Sequence, residues 1–135
     1  MNHAVYFFVF ACVGVSVEVF FTALADAKHK IDAKLQGRSY IWMFPIFGLT
    51  YPVLLLGQRH LGTVSLPLRA LIYVLLLYLL EYSSGWLIRK LTGICPWEDM
   101  YHGSRWSVHD LIRIDYAPAW FIFVLLLERL YIFLL

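Results

Sequence analysis

The stretch Ala70-Leu-Ile-Tyr-Val-Leu-Leu-Leu-Tyr-Leu-Leu-Glu81-Tyr-Ser-Ser-Gly-Trp-Leu-Ile88 decides how this chain is read. At 1.5 Å of rise per residue, about 20 mostly apolar residues carry a helix across the hydrocarbon core of a bilayer, and this run has that length and character. Its one carboxylate, Glu81, lies among leucine, isoleucine and valine. A charge near the centre of a span costs about 2.5 to 3.5 kcal/mol on an insertion scale unless a partner, a proton or water relieves it. Glu81 is therefore the first candidate for a functional group.

Working outward, the 135 residues are 61% hydrophobic, 18% aromatic and 15% charged, with a mean hydropathy of +0.71. That balance predicts a small polytopic membrane protein with no soluble domain. The pattern predicts an all-α integral membrane bundle of about four transmembrane helices in a single domain over 1–135, with spans near 4–25, 40–57, 68–88 and 116–135. The second run is short and interrupted by Pro45, Gly48 and Pro52. Such breaks are tolerated where a helix lines protein or a cavity. The long loop before the last span carries Cys95-Pro-Trp97-Glu-Asp99 and an amphipathic-looking stretch from Trp106 to Ile114.

Several classes are excluded or disfavoured. A formal charge of +2 is too weak to suggest nucleic acid as a partner. No Gly-x-x-x-x-Gly-Lys-Ser/Thr loop appears, so the chain carries no nucleotide-hydrolysing site of that kind. Cys12 and Cys95 make no disulfide framework. Ala23-Leu-Ala25 resembles a signal-peptidase site, but the preceding run is long, contains Glu18 and follows no basic residue.

The basic residues predict orientation. The segments 26–39 and 89–115 hold Lys28, Lys30, Lys34, Arg38, Arg89, Lys90, Arg105 and Arg113, against Arg59 and Arg69 on the other side and Arg129 inside the last span. The positive-inside rule then puts both loops in the cytoplasm and both termini outside, in a plasma or inner membrane.

Three carboxylates, Glu18, Glu81 and Glu128, fall within the predicted spans. Glu18 lies about 11 Å from the Asp26 end of its span and Glu81 about 12 Å from Arg89, so the two share one depth on the loop side. Ala11, Gly14, Glu18, Thr22 and Ala25 recur on one helical face, and Tyr78, Ser84 and Gly85 share the face of Glu81. Glu128 is expected to pair with Arg69 or to snorkel with Arg129. For Glu18 and Glu81 three readings stay open: a substrate or proton site, a metal site completed by His102 or His109, and hydrogen bonding that only holds the bundle together. Trp97, Asp115 and Tyr116 could gather at the same mouth.

With Glu18, Gly48, Glu81 and Trp97 in view, the chain resembles the ABC-transporter type IV (CmpB-like) membrane family, whose animal members are the transmembrane protein 229 proteins. The likeness covers nearly the whole chain. It is carried by Leu66-Pro-Leu-Arg-Ala-Leu-Ile-Tyr73, Leu80-Glu-Tyr-Ser-Ser-Gly-Trp86, Cys95-Pro-Trp97, the run from Leu111 to Phe121, and Leu127-Glu128, with Gly14, Glu18 and Ile46-Phe-Gly48 earlier. The chain departs from the family in Trp97-Glu98-Asp99, where Trp-Asp-Tyr is frequent and Tyr101 is displaced by one residue. Asp110 stands where glycine is common, and Phe47 where tyrosine is usual. The resemblance implies a multi-span protein whose ATPase, if it serves a permease, is another chain.

The expected function is a permease-like or small-molecule- or proton-binding component with an intramembrane carboxylate site. The alternatives are an intramembrane lipid-modifying enzyme using the acidic cluster, and a structural or assembly subunit. No catalytic signature or cofactor motif decides between them. Membrane lipid is an expected partner, with a homodimer or partner subunit beside it.

Overall fold

The structure is a computed structural model that describes residues 2–27 and 34–134. Lys28 and Lys30, and with them part of the basic loop expected at 26–39, lie outside the described residues. The chain divides into two compact units, Met1–Tyr51 and Pro52–Leu135, each described by itself below.

In the first unit, α1 spans His3–Ala27, and α2, Met43–Gly48, packs against it. Gly14 of α1 lies directly on the ring of Phe47, and Phe7 lies on Gly48. The first turn of α3, Thr50–Leu61, belongs to the same unit, where Tyr51 stacks on Tyr6 at 5.0 Å between ring centroids and meets His3 Nδ1 through its hydroxyl at 2.7 Å. Phe10, Ala11, Met43 and Phe47 complete a core made from one face of α1. Gly14 of that face is thus covered by α2 within the unit.

The run predicted as a second span, 40–57, is two helices meeting at Leu49, whose backbone (φ −68°, ψ −11°) stays in the right-handed helical region. Pro45 and Pro52 both fall in the first turn of their helix, where no N–H is needed from them.

The second unit is built on α4, Leu66–Thr92, and α6, Ala117–Leu134. Ser65 and Pro67 begin α4, and Gly93 at φ 89° ends it, its N–H returning to Arg89 O at 2.8 Å. The two helices run antiparallel, with Ala70, Tyr73, Val74 and Leu77 facing Phe123, Val124, Leu127 and Tyr131 in a buried seam. Near one end, Arg69 and Glu128 form a two-pronged ion pair, Nε to Oε2 at 2.8 Å and Nη2 to Oε1 at 2.5 Å, and Arg69 Nη1 also donates to Val64 O. Both charged groups are largely shielded. Near the other end Tyr78 meets Trp120 edge-on. Arg129, which follows Glu128 in the chain, is exposed.

Between α4 and α6 the chain is folded. It forms a one-turn helix α5, Glu98–Tyr101, a hairpin of β1, Ser107–Val108, and β2, Ile112–Arg113, and a 3-10 turn, Ile114–Tyr116. The amphipathic look of 106–114 therefore arises from strand alternation and a turn, with no helix. The hairpin turn is closed by Leu111 N–H on Val108 O, and its central residues, His109 and Asp110, have φ of 53° and 56°. That handedness suits the twist of a two-stranded ribbon, and Asp and His reach it more readily than most residues.

Three helices among the described residues are long and apolar enough to cross a membrane: His3–Ala25, Leu66–Thr92 and Ile114–Leu134. No more than 33% of any of them is buried within the protein, and Phe20, Leu75, Leu79, Ile122 and Phe133 stand on the open faces. The protein is an all-α integral membrane protein, apart from the small hairpin.

Removing one partner of a shielded ion pair strands the other charge. Glu128→Ala should destabilise the second unit by about 3 to 5 kcal/mol in denaturant titration in micelles, and Arg69→Met with Glu128→Leu should recover most of that loss. A Glu128→Ala protein as stable as wild type would show that the pair holds nothing.

Candidate functional site

Glu81 projects from α4 into the second unit and is 3% exposed. Its neighbours three and four residues away, Tyr78, Gly85 and Leu77, lie on the same side, so one helical face of α4 receives the folded segment. Gly85 is what permits the close approach: a Cβ there would come within 2.8 Å of the Trp97 ring and 2.9 Å of Leu111. Trp97 is fixed by its indole N–H, which donates to Leu111 O at 2.9 Å, and so ties α5 to the hairpin turn. Cys95 is buried beside the same glycine, and burial pushes its thiol above the usual range. That is the setting of an inert packing cysteine, not of a nucleophile.

So held, α5 aims Tyr101 at Glu81. The tyrosine hydroxyl donates to Glu81 Oε1 at 2.5 Å, and both residues are buried. On the far side of Tyr101 the ring of Tyr116 meets it edge-on at 5.9 Å. Tyr116 in turn carries the Arg113 guanidinium over its face at 4.2 Å, and its hydroxyl accepts from Arg113 Nη1 at 2.7 Å. Arg113 also forks onto Asp115, Nε to Oδ1 at 3.0 Å and Nη2 to Oδ2 at 2.6 Å, which raises the already high proton affinity of the guanidinium. Tyr78 donates to Arg113 O at 2.8 Å and so fastens α4 to the end of β2. The result is a chain of polar groups, Glu81, Tyr101, Tyr116, Arg113 and Asp115, leading from a buried carboxylate to a half-exposed ion pair.

Of the residues singled out from the sequence, Glu81, Tyr78, Trp97, Asp115 and Tyr116 meet around this segment. Ser84 is half-buried and has no hydrogen-bond partner among the described residues. Glu18 belongs to the first unit, where Ser39 Oγ donates to its Oε2 at 2.6 Å. One turn on, Thr22 accepts the Arg38 N–H at 2.8 Å and returns its own hydroxyl to Arg38 O, so 38–39 is laced along α1.

His102 and His109 are engaged elsewhere. His102 Nδ1 lies 3.1 Å from Asp110 Oδ2, and Ser107 Oγ donates to Asp110 Oδ1 at 3.0 Å. These two contacts, His102 first, hold the Asp110 carboxyl below the ordinary aspartate range. His109 Nδ1 meets the Tyr82 hydroxyl at 2.8 Å. Among the described residues no group of three or more His, Cys, Asp or Glu is placed to hold a metal.

Tyr101 and Arg113 were not singled out as site residues. Nothing in periodicity links a loop tyrosine to a carboxylate twenty positions away, and Arg113 read as one basic loop residue among eight. The available signal was the tyrosine near Cys95-Pro-Trp97, displaced relative to the family pattern.

A bulky residue at 85 should lift the whole segment. Gly85→Val is expected to speed tryptic cleavage at Arg105 in micelles by an order of magnitude or more, while α4 and α6 stay folded; unchanged cleavage would mean the segment is not held by this contact.

No solved structure matches the fold. A family model does: the one described as "Putative ABC-transporter type IV" matches residues 5–134, so the chain belongs to that family of membrane proteins.

Proposed function

We propose that this protein is a permease-like membrane component that binds a small molecule or proton at Glu81, with Tyr101 as the group that meets the carboxylate from the loop side. The observation that carries this reading is the Glu81 to Tyr101 hydrogen bond, 2.5 Å long and buried, between a helix of membrane-spanning length and a short loop helix. A carboxylate inside a span is retained against its insertion cost where it does something, and a tyrosine hydroxyl can follow it through protonation by donating to the ionised form and accepting from the neutral one. Beyond Tyr101, the Tyr116 ring and the Arg113 guanidinium lie in turn toward the loop surface.

Membership of a transporter-type family supports the permease side of the reading, and any ATP hydrolysis would belong to a partner chain. The support for Glu18 as a second carboxylate is its depth along α1, counted from sequence. The basic loops support a cytoplasmic position for the α4 to α6 segment. In that orientation the run 40–57 counts as a fourth span, and both termini lie outside.

A second reading has an observation of its own: the same hydrogen bond ties the loop to α4, which is what a purely structural carboxylate would do. The two separate on one measurement. In proteoliposomes under an imposed pH gradient, wild type should carry protons above the level of empty vesicles, Glu81→Gln should fall to that level with its unfolding temperature little changed, and Tyr101→Phe should lie between them. Equal flux in wild type and Glu81→Gln would overturn the proposed site, and a loss of stability without a loss of flux would assign Glu81 a structural role.

A further inference from the structure

Four cations belong to the last turn of α4 and the folded loop that follows it: Arg89, Lys90, Arg105 and Arg113. Two are compensated, Arg89 by Glu98 at 3.3 Å and Arg113 by Asp115 at 2.6 Å. Lys90 and Arg105 are exposed and have no carboxylate partner among the described residues; the exposed Asp99 of α5 pairs with neither. Each instead lies over an indole. Lys90 Nζ is 4.9 Å from the centroid of Trp86, and the Arg105 guanidinium carbon is 5.0 Å from that of Trp106.

Both indoles are themselves about half exposed, Trp86 at 49% and Trp106 at 46%. Their positions are set by the fold. Trp86 and Lys90 follow Leu75, Leu79 and Ser83 along one open stripe of α4, so an apolar helix face of span length ends in an indole and then an ammonium. Arg105 and Trp106 lead directly into β1 at the open end of the hairpin, where Trp106 O accepts the Ile114 N–H at 3.1 Å, and the turn of that hairpin is fastened to α4 by Tyr82 on His109 Nδ1 and by Arg89 on His109 O at 3.0 Å. Leu91 and Ile94 leave further apolar surface open nearby.

We infer that this face of the second unit is a binding surface for anionic phospholipids, in which Lys90 and Arg105 each take a headgroup phosphate while Trp86 and Trp106 lie in the headgroup region and the leucine stripe of α4 lies along the acyl chains. The chemistry is complementary at each level. Indole rings favour the interfacial region, exposed leucines favour hydrocarbon, and uncompensated cations at that boundary favour a negatively charged headgroup over a zwitterionic one. The indole beneath each cation orients it without neutralising it, which a carboxylate would do. The surface is separate from Glu81 and stands whether or not that residue binds a substrate.

The test uses the full chain in detergent, with phosphatidylglycerol and phosphatidylcholine added in competition and bound lipid counted by native mass spectrometry. Wild type should retain phosphatidylglycerol preferentially. Each basic residue near an anionic surface is worth about a factor of five, so Lys90→Gln with Arg105→Gln should lower the preference by about thirtyfold. Arg59→Gln with Arg129→Gln, an equal loss of exposed charge elsewhere, should leave it. Trp86→Leu with Trp106→Leu, which keeps both cations, should weaken retention partially. A preference that survives the Lys90 and Arg105 changes, or that falls equally with Arg59 and Arg129, overturns the surface. Glycerol phosphate without acyl chains protecting the protein from unfolding as well as phosphatidylglycerol does would assign the site to a soluble phosphate and overturn the lipid.

Discussion

A carboxylate in the apolar part of a membrane helix has to be met by a donor, and in this protein the donor for Glu81 is brought by the loop, through Tyr101. Much of the second unit can be understood as what is required to put a tyrosine there. Gly85 lets Trp97 come close to α4, the indole N–H joins α5 to Leu111, and the hairpin turns on His109 and Asp110 so that Leu111 is available to both. Tyr78 and Tyr82 then hold β2 and the turn against the same helix. The segment is a small folded cap because its apolar residues Cys95, Trp97, Tyr101 and Leu111 are buried on α4 and because its backbone groups are answered locally.

At the other end of the same helix pair, Arg69 and Glu128 solve a different problem by direct charge pairing. Arg69 meets Glu128 at one end of the seam and Tyr78 meets Trp120 toward the other, so the two contacts together give the antiparallel register of α4 against α6. Tyr73 fills the space between them, 1% exposed, with Gly57 of α3 against its ring. The unit thus has an ionic tie at one end and a hydrogen-bonded cap at the other. The Glu128 charge is answered directly by an opposite charge, whereas the partner of Glu81 is a neutral hydroxyl. That difference is why Glu81, and not Glu128, is the candidate for function.

The membrane helices were legible in the sequence because length and apolar content are enough to define them: α1, α4 and α6 cover the runs expected at 4–25, 68–88 and 116–135 to within a few residues. The run at 40–57 is less legible, since prolines at 45 and 52 are compatible with a broken span and equally with two helices that each carry a proline in the first turn, as the structure has them. The hairpin within Trp106 to Ile114 is not legible in the sequence for a simpler reason. Alternation over so few residues cannot be told from a helical face, and the turn residues His109 and Asp110 are not the glycine or asparagine that would announce a hairpin. Asp110 occupies a left-handed position, where its carboxylate meets Ser107 and His102. Around Glu81 the sequence indicated which residues share a helical face, since that follows from spacing, but it could not indicate that Tyr101 folds back on it.

The hydrogen bond between Tyr101 and Glu81 can be observed without knowing what the protein carries. Infrared spectra of the protein in lipid, with wild type minus Glu81→Gln used to identify the carboxyl band of Glu81, report directly on the donor at that oxygen. The account predicts that Tyr101→Phe shifts the Glu81 band while leaving the remaining carboxyl bands in place. A Glu81 band unchanged by Tyr101→Phe would contradict it.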